Sequence, residues 1–419
     1  MAIGPIQLIR QATRAQRQTL LAGALGWALD AFDAMLYALV LALLMRDFGM
    51  TKAVAGLLGT LTLLASGVGG VLFGFLADRI GRKQALMASI LTYSLCSFAS
   101  GLATSIAILA AARIVLGLGM GGEWNTGATL VAETWPTEFR AKAISLVQSS
   151  WALGFAAAAL VAGPVARYFG WRAVFFVGIL PALLTLWIRR GVPESVMWEQ
   201  RRSRGQLGST RGSSGDHGNK VADWLPYVRP TLVLLLFNFC GMFAWWGLFT
   251  WMPPYLSLPV SQGGRGFGVM GTTTLLVVLN LLGMFPGYAS FGWVADHLGR
   301  RKASLVYSLT AALLIPLYAA ARSPVLLMAL GTVVAFFGTG MFSGSGIMGS
   351  EIFPTSMRAR GLGFTYNGAR TLSSIAPLVI GRVGQVKGLG WAFYLCAAGY
   401  LLAALMTTQL PETRGKGLE

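Results

Sequence analysis

Long apolar stretches, broken by short loops of charged residues and glycine, run the length of this chain. A helix needs about 20 apolar residues to cross the hydrocarbon core of a membrane. Twelve stretches meet that requirement: 19–44, 53–77, 84–104, 107–131, 142–166, 171–189, 231–256, 269–293, 303–320, 324–348, 361–386 and 390–410. The exception among the short connections is 190–229, rich in Arg, Gly and Ser, which reads as a solvated linker. The pattern predicts an all-α membrane protein with six spans in 1–189, a cytoplasmic linker over 190–229 and six spans in 230–419.

The halves repeat one another. Gly74-Phe-Leu-Ala-Asp78-Arg79-Ile-Gly81-Arg82-Lys83 returns 218 residues later as Gly292-Trp-Val-Ala-Asp296-His297-Leu-Gly299-Arg300-Arg301. At the same offset Glu133, Pro136 and Arg140 match Glu351, Pro354 and Arg358, and Pro193-Glu194-Ser195 matches Pro411-Glu412-Thr413. A constant offset over nearly the whole chain means that one half was built twice. Twin halves of hydrophobic spans suggest a transporter whose lobes rock about a shared site.

Composition agrees with a membrane location. Apolar residues make up 55% and charged residues 11% of the chain, where a soluble protein carries roughly a quarter charged. The net charge of +18 does not point to nucleic acid, because the basic residues fall in short loops and form no continuous face. Most of the 33 lysines and arginines lie on one side if the N-terminus is cytoplasmic. The positive-inside rule therefore puts both termini in the cytoplasm, as expected of a multi-pass protein of a bacterial inner membrane. Contact with anionic lipid accounts for much of the remaining charge. Cys96, Cys240 and Cys396 lie in apolar runs without metal-ligand spacing, and His217 and His297 lie in loops. No metal, cofactor or secretory signal is expected, and any proton path through the membrane must use carboxylates. Many of the 54 glycines lie inside spans, where small residues let helices approach closely. Gly163-Pro164 and Pro377 stand where they can bend spans five and eleven.

The doubled loop after spans two and eight resembles the signature of the major facilitator superfamily. That resemblance implies two pseudo-symmetric six-helix bundles around a central cavity, acting as a monomer by alternating access. Within the first half, Leu25-Gly-Trp27-Ala-Leu-Asp30-Ala-Phe-Asp33, Gly119-Met-Gly-Gly-Glu123-Trp124 and Ala132-Glu133-Thr-Trp135-Pro136 are similar to the sialate:proton symporter family. Related metabolite:proton symporters share the Gly-Gly-Glu element. The resemblance implies sialate or small monocarboxylates, or else dicarboxylates, shikimate or zwitterions, as cargo.

The repeated charges read as a gate: Asp78, Arg82, Glu133 and Arg140 in one half, Asp296, Arg300, Glu351 and Arg358 in the other. Gly81 permits a tight reversal. Asp78 suits the positive end of a helix, which the resemblance identifies as the start of span eleven, with Asp296 serving span five. Arg82 and Lys83 are expected at lipid headgroups or against Glu133. Glu133 with Arg140, and Glu351 with Arg358, are expected as ion pairs. The alternative for all of these is a signal that only fixes topology.

Charges present in one half only are candidates for function. At the offset of 218, Asp30 falls on Leu248, Asp33 on Trp251, Arg113 on Gly331, Glu123 on Met341, and Arg370 on Ala152. A charge inside the membrane costs at least about 2.5–3.5 kcal/mol and marks a functional site by default. Asp30 and Asp33 share one face of span one. Glu123 lies about 15 Å along span four from Arg113 at 1.5 Å per residue. Asp33, or Asp30, is read as a proton site with Arg113 as its partner, a pairing the resemblance supports; a static ion pair is the alternative. Glu123 is a second candidate proton carrier. Arg370 is read as the anchor of an anionic substrate, its fork of donors matching a carboxylate, or else as a salt-bridge partner for Glu123. Tyr366 and Asn367 offer polar contacts beside it, and Trp27, Trp124, Asn125, Gln148, Trp151, Asn238, Trp245 and Asn280 are candidate cavity-lining residues.

The reading is a proton-coupled symporter of a small organic anion of monocarboxylate, sialate or sugar-acid type. A proton antiporter exporting drugs or metabolites is the alternative, and a non-transporting receptor a remote one. No triad, metal cluster or phosphate loop suggests an enzyme.

Overall fold

A computed structural model describes residues 12–203, 222–354 and 357–414; for Asn125, Arg358 and a few other helical residues it describes the backbone alone. The described residues are almost wholly helical, without strands. The first half holds α1 (Arg14–Phe48), α2 (Lys52–Ile80), α3 (Arg82–Gly101), α4 (Ile106–Thr134), α5 (Thr137–Val177), α6 (Pro181–Gly191) and α7 (Val196–Ser203). The second holds α8 (Val228–Ser257), α9 (Gly268–Val278), α10 (Phe285–Leu298), α11 (Arg300–Ala320), α12 (Pro324–Ile352), α13 (Arg358–Ser373), α14 (Ala376–Lys387) and α15 (Leu389–Thr407).

Among the described residues, nine helical runs are long and apolar enough to cross a membrane. The run Lys142–Gly191, 50 residues long, contains spans five and six. They part at Gly170, whose φ of 78° and ψ of 172° break the helix. Pro164 lies inside the helix before that break, and the turn itself falls at the expected join between 142–166 and 171–189. Serine-rich α3 and the broken pair α13–α14 complete the twelve. Span eleven divides at Ser374–Ile375, and Pro377 stands in the first turn of α14, where its missing N–H costs nothing. Span eight runs through α9 and α10 with a π-helical insert at Leu279–Met284.

The fold is that of two six-helix halves. The chain separates into two compact units, Met1–Leu44 with Leu61–Ser209, and Met45–Thr60 with Thr210–Glu419. The segment where α1 passes into α2 thus packs with the second unit, where Lys52 Nζ donates to Gln262 O at 2.8 Å and Gly384 O at 3.3 Å. Outward-facing apolar side chains such as Phe75, Leu72 and Leu313 are more than half exposed, as helices bathed in lipid require. The stretch expected as a solvated linker begins with structure: α7 buries Trp198, whose Nε1 donates to Asp78 O at 2.9 Å.

Candidate functional site

Each half carries a charged hub at the start of its third span. In the first, Gly81 (φ +107°) turns the chain from α2 into α3. The turn places Arg82, buried despite its charge, at the start of α3. Its Nη1 donates to Asp78 Oδ1 at 2.8 Å and to Ala77 O at 2.9 Å, while Nε and Nη2 grip the two oxygens of Glu133, each at 3.2 Å. Glu194 accepts the backbone N–H groups of Arg82 and Lys83 at 3.0 and 3.1 Å, and the Ser195 hydroxyl donates to Glu133.

The second hub repeats the main contacts of the first. Gly299 (φ +94°) makes the turn. Arg300 Nη1 donates to Asp296 Oδ1 at 2.6 Å, and Nη2 to Glu351 Oε1 at 3.1 Å. Glu412 accepts Arg300 N at 2.9 Å and Arg301 N at 3.2 Å, and the Thr413 hydroxyl donates to Glu351. Partial burial favours the proton on Glu412. Donation from the N–H groups of Arg414, Arg300, Arg301 and Thr413 outweighs it, holding this carboxyl below the ordinary Glu range.

These hubs correct the expected pairing. Glu133 binds Arg82 and not Arg140, whose Nε has no hydrogen-bond partner among the described residues. Glu351 binds Arg300, and the Arg358 side chain lies outside the described residues. Geometry explains the change: Pro136 interrupts the chain between α4 and α5, so Glu133 and Arg140 do not stand two turns apart on one helix. The Pro-Glu-Ser and Pro-Glu-Thr repeats prove to be the carboxylate caps of α3 and α11, a role the constant offset signalled without revealing.

The unrepeated charges are all buried. Asp30 and Asp33 are 0% exposed, Glu123 1%, Arg113 2% and Arg370 7%. In the first unit, Ser97 of α3 donates its hydroxyl to Asp33 Oδ1 at 3.0 Å. Asp33 Oδ2 has no hydrogen-bond partner among the described residues. Gly178, at the break before α6, presses against the same pair: a Cβ there would lie 2.0 Å from Ser97 Oγ and 2.6 Å from Asp33 Oδ1. Arg113 of α4 sits with its guanidinium carbon 4.7 Å from the centre of the Tyr37 ring and interacts electrostatically with Asp33. No ion pair closes between them, and Arg113 Nε and Nη1 lack hydrogen-bond partners among the described residues. Glu123 lies over Gly26 of α1, whose added Cβ would be 2.3 Å from Glu123 Oε1. Tyr93 of α3, fully buried, interacts with Asp30, Asp33 and Glu123 together.

Tyr93, Ser97 and Gly178 escape a search for unrepeated charges because none of them is charged. Yet their twins at the offset of 218 are Ala311, Ile315 and Cys396, so the same test applied to hydroxyls would find the first two.

The aromatic candidates of the first unit gather. Trp27 lies 4.5 Å from Trp124 and 4.7 Å from Trp151, ring centre to ring centre. Trp27 Nε1 and Gln148 Oε1 are buried without hydrogen-bond partners among the described residues. The Asn125 side chain lies outside the described residues. In the second unit Trp245 packs on Trp246, Phe249 and Phe342. Asn238 Nδ2 donates to Thr365 O at 3.3 Å. Asn280 stands in the π-helical insert and donates to Leu276 O at 2.8 Å. Arg370 occupies the last turn of α13, where the negative end of the helix dipole favours a cation. Its Nη2 is buried without a hydrogen-bond partner among the described residues. Tyr366 is half-buried on the same helix, while Asn367 is exposed.

The pattern of the Major Facilitator Superfamily matches residues 23–285 and 264–418, covering both hubs and every buried charge. The chain belongs to this superfamily. A probable 4-methylmuconolactone transporter of Cupriavidus pinatubonensis is 34% identical over 411 residues, 96% of this chain and 92% of that protein. A sialic acid transporter of Escherichia coli is 32% identical over 412 residues, 96% of each chain. These relatives are transporters, in keeping with the expected sialate and metabolite symporter resemblance. The crystal structure of a D-xylose–proton symporter superposes with a TM-score of 0.77 at 19% identity, over 96% of this chain and 99% of that one, and shares the fold. This protein is thus a multi-pass membrane protein of a transporter superfamily.

Proposed function

We propose that the protein is a proton-coupled symporter of a small organic anion in the bacterial inner membrane, with both termini cytoplasmic. The observation that carries this reading is the half-satisfied Asp33 carboxylate. One oxygen is held by Ser97, the other has no hydrogen-bond partner among the described residues, and an unclosed Arg113 lies in electrostatic reach. A buried carboxylate away from a cation takes up a proton; the same carboxylate closed onto a guanidinium gives it up. Movement of α4 against α1 that closes the Asp33–Arg113 gap releases the proton, and movement that opens it allows reloading. Coupling follows if the same movement accompanies substrate binding and release.

Arg370 is the proposed anchor for the substrate carboxylate. It is a buried guanidinium with an unused donor beside a helix break, and a two-point contact to a carboxylate satisfies both the charge and the donor. Names of relatives that include a lactone and a sialic acid carrier support an organic cargo of this class. The hubs about Arg82 and Arg300 are the proposed gate elements, each tying the ends of several spans into one rigid unit.

Uptake of labelled organic acids into proteoliposomes under an imposed pH gradient tests the reading. The wild type should accumulate its substrate with proton influx. Asp33→Asn should keep counterflow exchange but lose gradient-driven accumulation. Proton efflux with substrate uptake would establish antiport, and full gradient-driven accumulation by Asp33→Asn would remove Asp33 from the mechanism.

A further inference from the structure

One unrepeated charge stands at the end of a span and not inside it. Lys52, the first residue of α2, falls on Met270 at the offset of 218. Its ammonium donates to Gln262 O at 2.8 Å, in the connection after α8, and to Gly384 O at 3.3 Å, in the last turn of α14. The negative end of the α14 dipole lies there and favours a cation. Around this point the start of α2 rests directly on α14. Ala53 N donates to Gln385 Oε1 at 3.3 Å, and Leu378 N donates to Thr60 Oγ1 at 3.3 Å. A Cβ added to Gly56 would strike the Pro377 carbonyl, and one added to Gly59 would lie 3.2 Å from Pro377 Cβ. From the other side, a Cβ added to Gly381 would strike the Lys52 carbonyl. Trp251 of α8, the twin of Asp33, backs the contact with its Nε1 donating to Pro377 O at 2.8 Å. All of these residues belong to one compact unit.

A packing feature of the duplicated architecture would recur at the offset, and this one does not. Gly56, Gly59 and Thr60 fall on Thr274, Val277 and Val278, and Pro377 and Gln385 fall on Ala159 and Arg167. The contact is also built to part. Lys52 is half-buried and meets neutral carbonyls, and among the described residues no carboxylate lies within ion-pair distance of it. Water or a lipid headgroup replaces a carbonyl at such an ammonium at little cost. Arg82, by contrast, is buried and gripped by two carboxylates, so its release would strand a charge. Backbones that meet across glycine part without unlocking interdigitated side chains. In addition, α14 joins α13 through the interruption at Ser374–Ile375, which gives it a hinge of its own.

We propose that Lys52–Thr60 and α14 form a releasable clasp, that the Lys52 ammonium is its catch, and that the clasp opens during the transport cycle to free this end of span two. With both termini cytoplasmic this end faces outward, a placement that rests on the transport reading above. Lys52 is a positioning residue: it sets how often the clasp stands open.

Cysteine labelling of the full chain in lipid nanodiscs, where both faces meet solvent, tests the clasp without substrate or pH gradient. Cys96, Cys240 and Cys396 are first replaced by alanine, and Gly59→Cys, at a buried position facing Pro377, is the reporter. A water-soluble maleimide should label it slowly but completely, as the clasp opens from time to time. Losing a bond from a charged donor at a half-exposed site should make labelling about five- to tenfold faster in Lys52→Met. Lys52→Arg, which keeps a charged donor, should stay close to the Lys52 rate. Thr60→Cys is a second reporter and should follow the same order. Native Cys396, fully buried in α15 and retained alone, reports general loosening and should label at one rate in all three backgrounds. Equal labelling in Lys52 and Lys52→Met chains, or equal acceleration at Cys396, would overturn the catch. A reporter that is never labelled in the Lys52 chain would show a permanent joint and overturn the clasp. A chain that obeys the expected order but shows no proton-linked uptake would remove the symport reading and leave the clasp standing.

Discussion

Replacing Gly81 by alanine should damage the protein far more than replacing Gly74, although both are glycines of the same repeated loop. Gly81 has φ of +107°, and an added Cβ would lie 2.3 Å from Glu194 Oε2. With ψ at 156° that backbone is open essentially to glycine alone, and adopting it with a side chain costs about 1–3 kcal/mol. Relieving the contact means moving the Glu194 carboxylate, which accepts Arg82 N at 3.0 Å and Lys83 N at 3.1 Å. Hydrogen bonds to a charged acceptor are worth roughly 1.5–3 kcal/mol. Losing one of them with the backbone penalty brings the expected cost to about 2.5–6 kcal/mol. Gly74 lies inside α2 with nothing within 4 Å of its added Cβ. Alanine there should be neutral or stabilising by up to about 1 kcal/mol through helix propensity. The second half supplies an internal replicate: Gly299 (φ +94°) would place its Cβ 2.6 Å from Glu412 Oε2, whereas Gly292 has nothing within 4 Å. Thermal unfolding of the four variants in detergent measures the difference. Equal melting temperatures for Gly81→Ala and Gly74→Ala would refute the claim that the hub is built on the Glu194 cap.

Three further outcomes follow from the contacts. Glu133→Gln should destabilise by about 1–3 kcal/mol, because Arg82 is buried and loses its charge partner. Asp78→Ala should change stability by no more than about 1 kcal/mol, since that carboxylate is 67% exposed; paired melting curves would show whether the order is reversed. Glu412 stands below its ordinary range when folded, so its contribution is complete above an unfolded value of about 4.3 and disappears as pH falls through the folded value. Melting temperature should drop more steeply for the wild type than for Glu412→Gln on acidification below that point, and parallel curves would remove Glu412 from the linkage. Gly178→Ala should disturb the Ser97–Asp33 hydrogen bond and lower gradient-driven uptake more than it lowers thermal stability, which transport and melting assays on one preparation would separate.

The spans were legible because lipid imposes a length and a composition on any helix that crosses it. Where reading failed, the signal lay in a conformation and not in hydropathy. The break between spans five and six falls at Gly170, inside the join expected between 142–166 and 171–189, but the positive φ that makes it is not written in the residue pattern. The offset of 218 separated paired hub residues from single buried charges, and both classes were correctly placed at helix ends or inside spans. It left Glu133 with two possible partners, Arg82 and Arg140, because spacing along one chain cannot show that Arg82, from a different helix end, arrives between Asp78 and Glu133. Applied to charges alone it passed over Ser97 and Tyr93, hydroxyls whose twins are Ile315 and Ala311.

A comparison between twins sets the proposed place of charge movement apart from its counterpart in the other half. Tyr37 falls on Tyr255 at the repeat offset, and each ring lies beneath a guanidinium: Arg113 at 4.7 Å in the first half, Arg265 at 4.6 Å in the second. The aromatic ring was kept and the cation came from a different element. Arg265, in the connection after α8, is satisfied, with Nε donating to Ala321 O at 2.8 Å and Nη2 to Ala319 O at 2.7 Å. Those carbonyls stand at the end of α11, so Arg265 fastens one span end to another. Arg113 comes from inside α4, beside a carboxylate it does not quite reach, with two nitrogens unmatched among the described residues. A guanidinium that has found its carbonyls is a rivet. One held by a ring face, at about 0.5–2 kcal/mol, and by an incomplete ion pair keeps donors available to a carboxylate that moves towards it. Arg113→Lys should therefore impair coupling even where charge is conserved, because an ammonium lacks the planar fork that can stay on Tyr37 while reaching for Asp33. Arg265→Lys should lower the melting temperature and leave the ratio of accumulated to exchanged substrate unchanged. If the two substitutions had the same effect on that ratio, the distinction between a satisfied and an unsatisfied twin would not be a functional one.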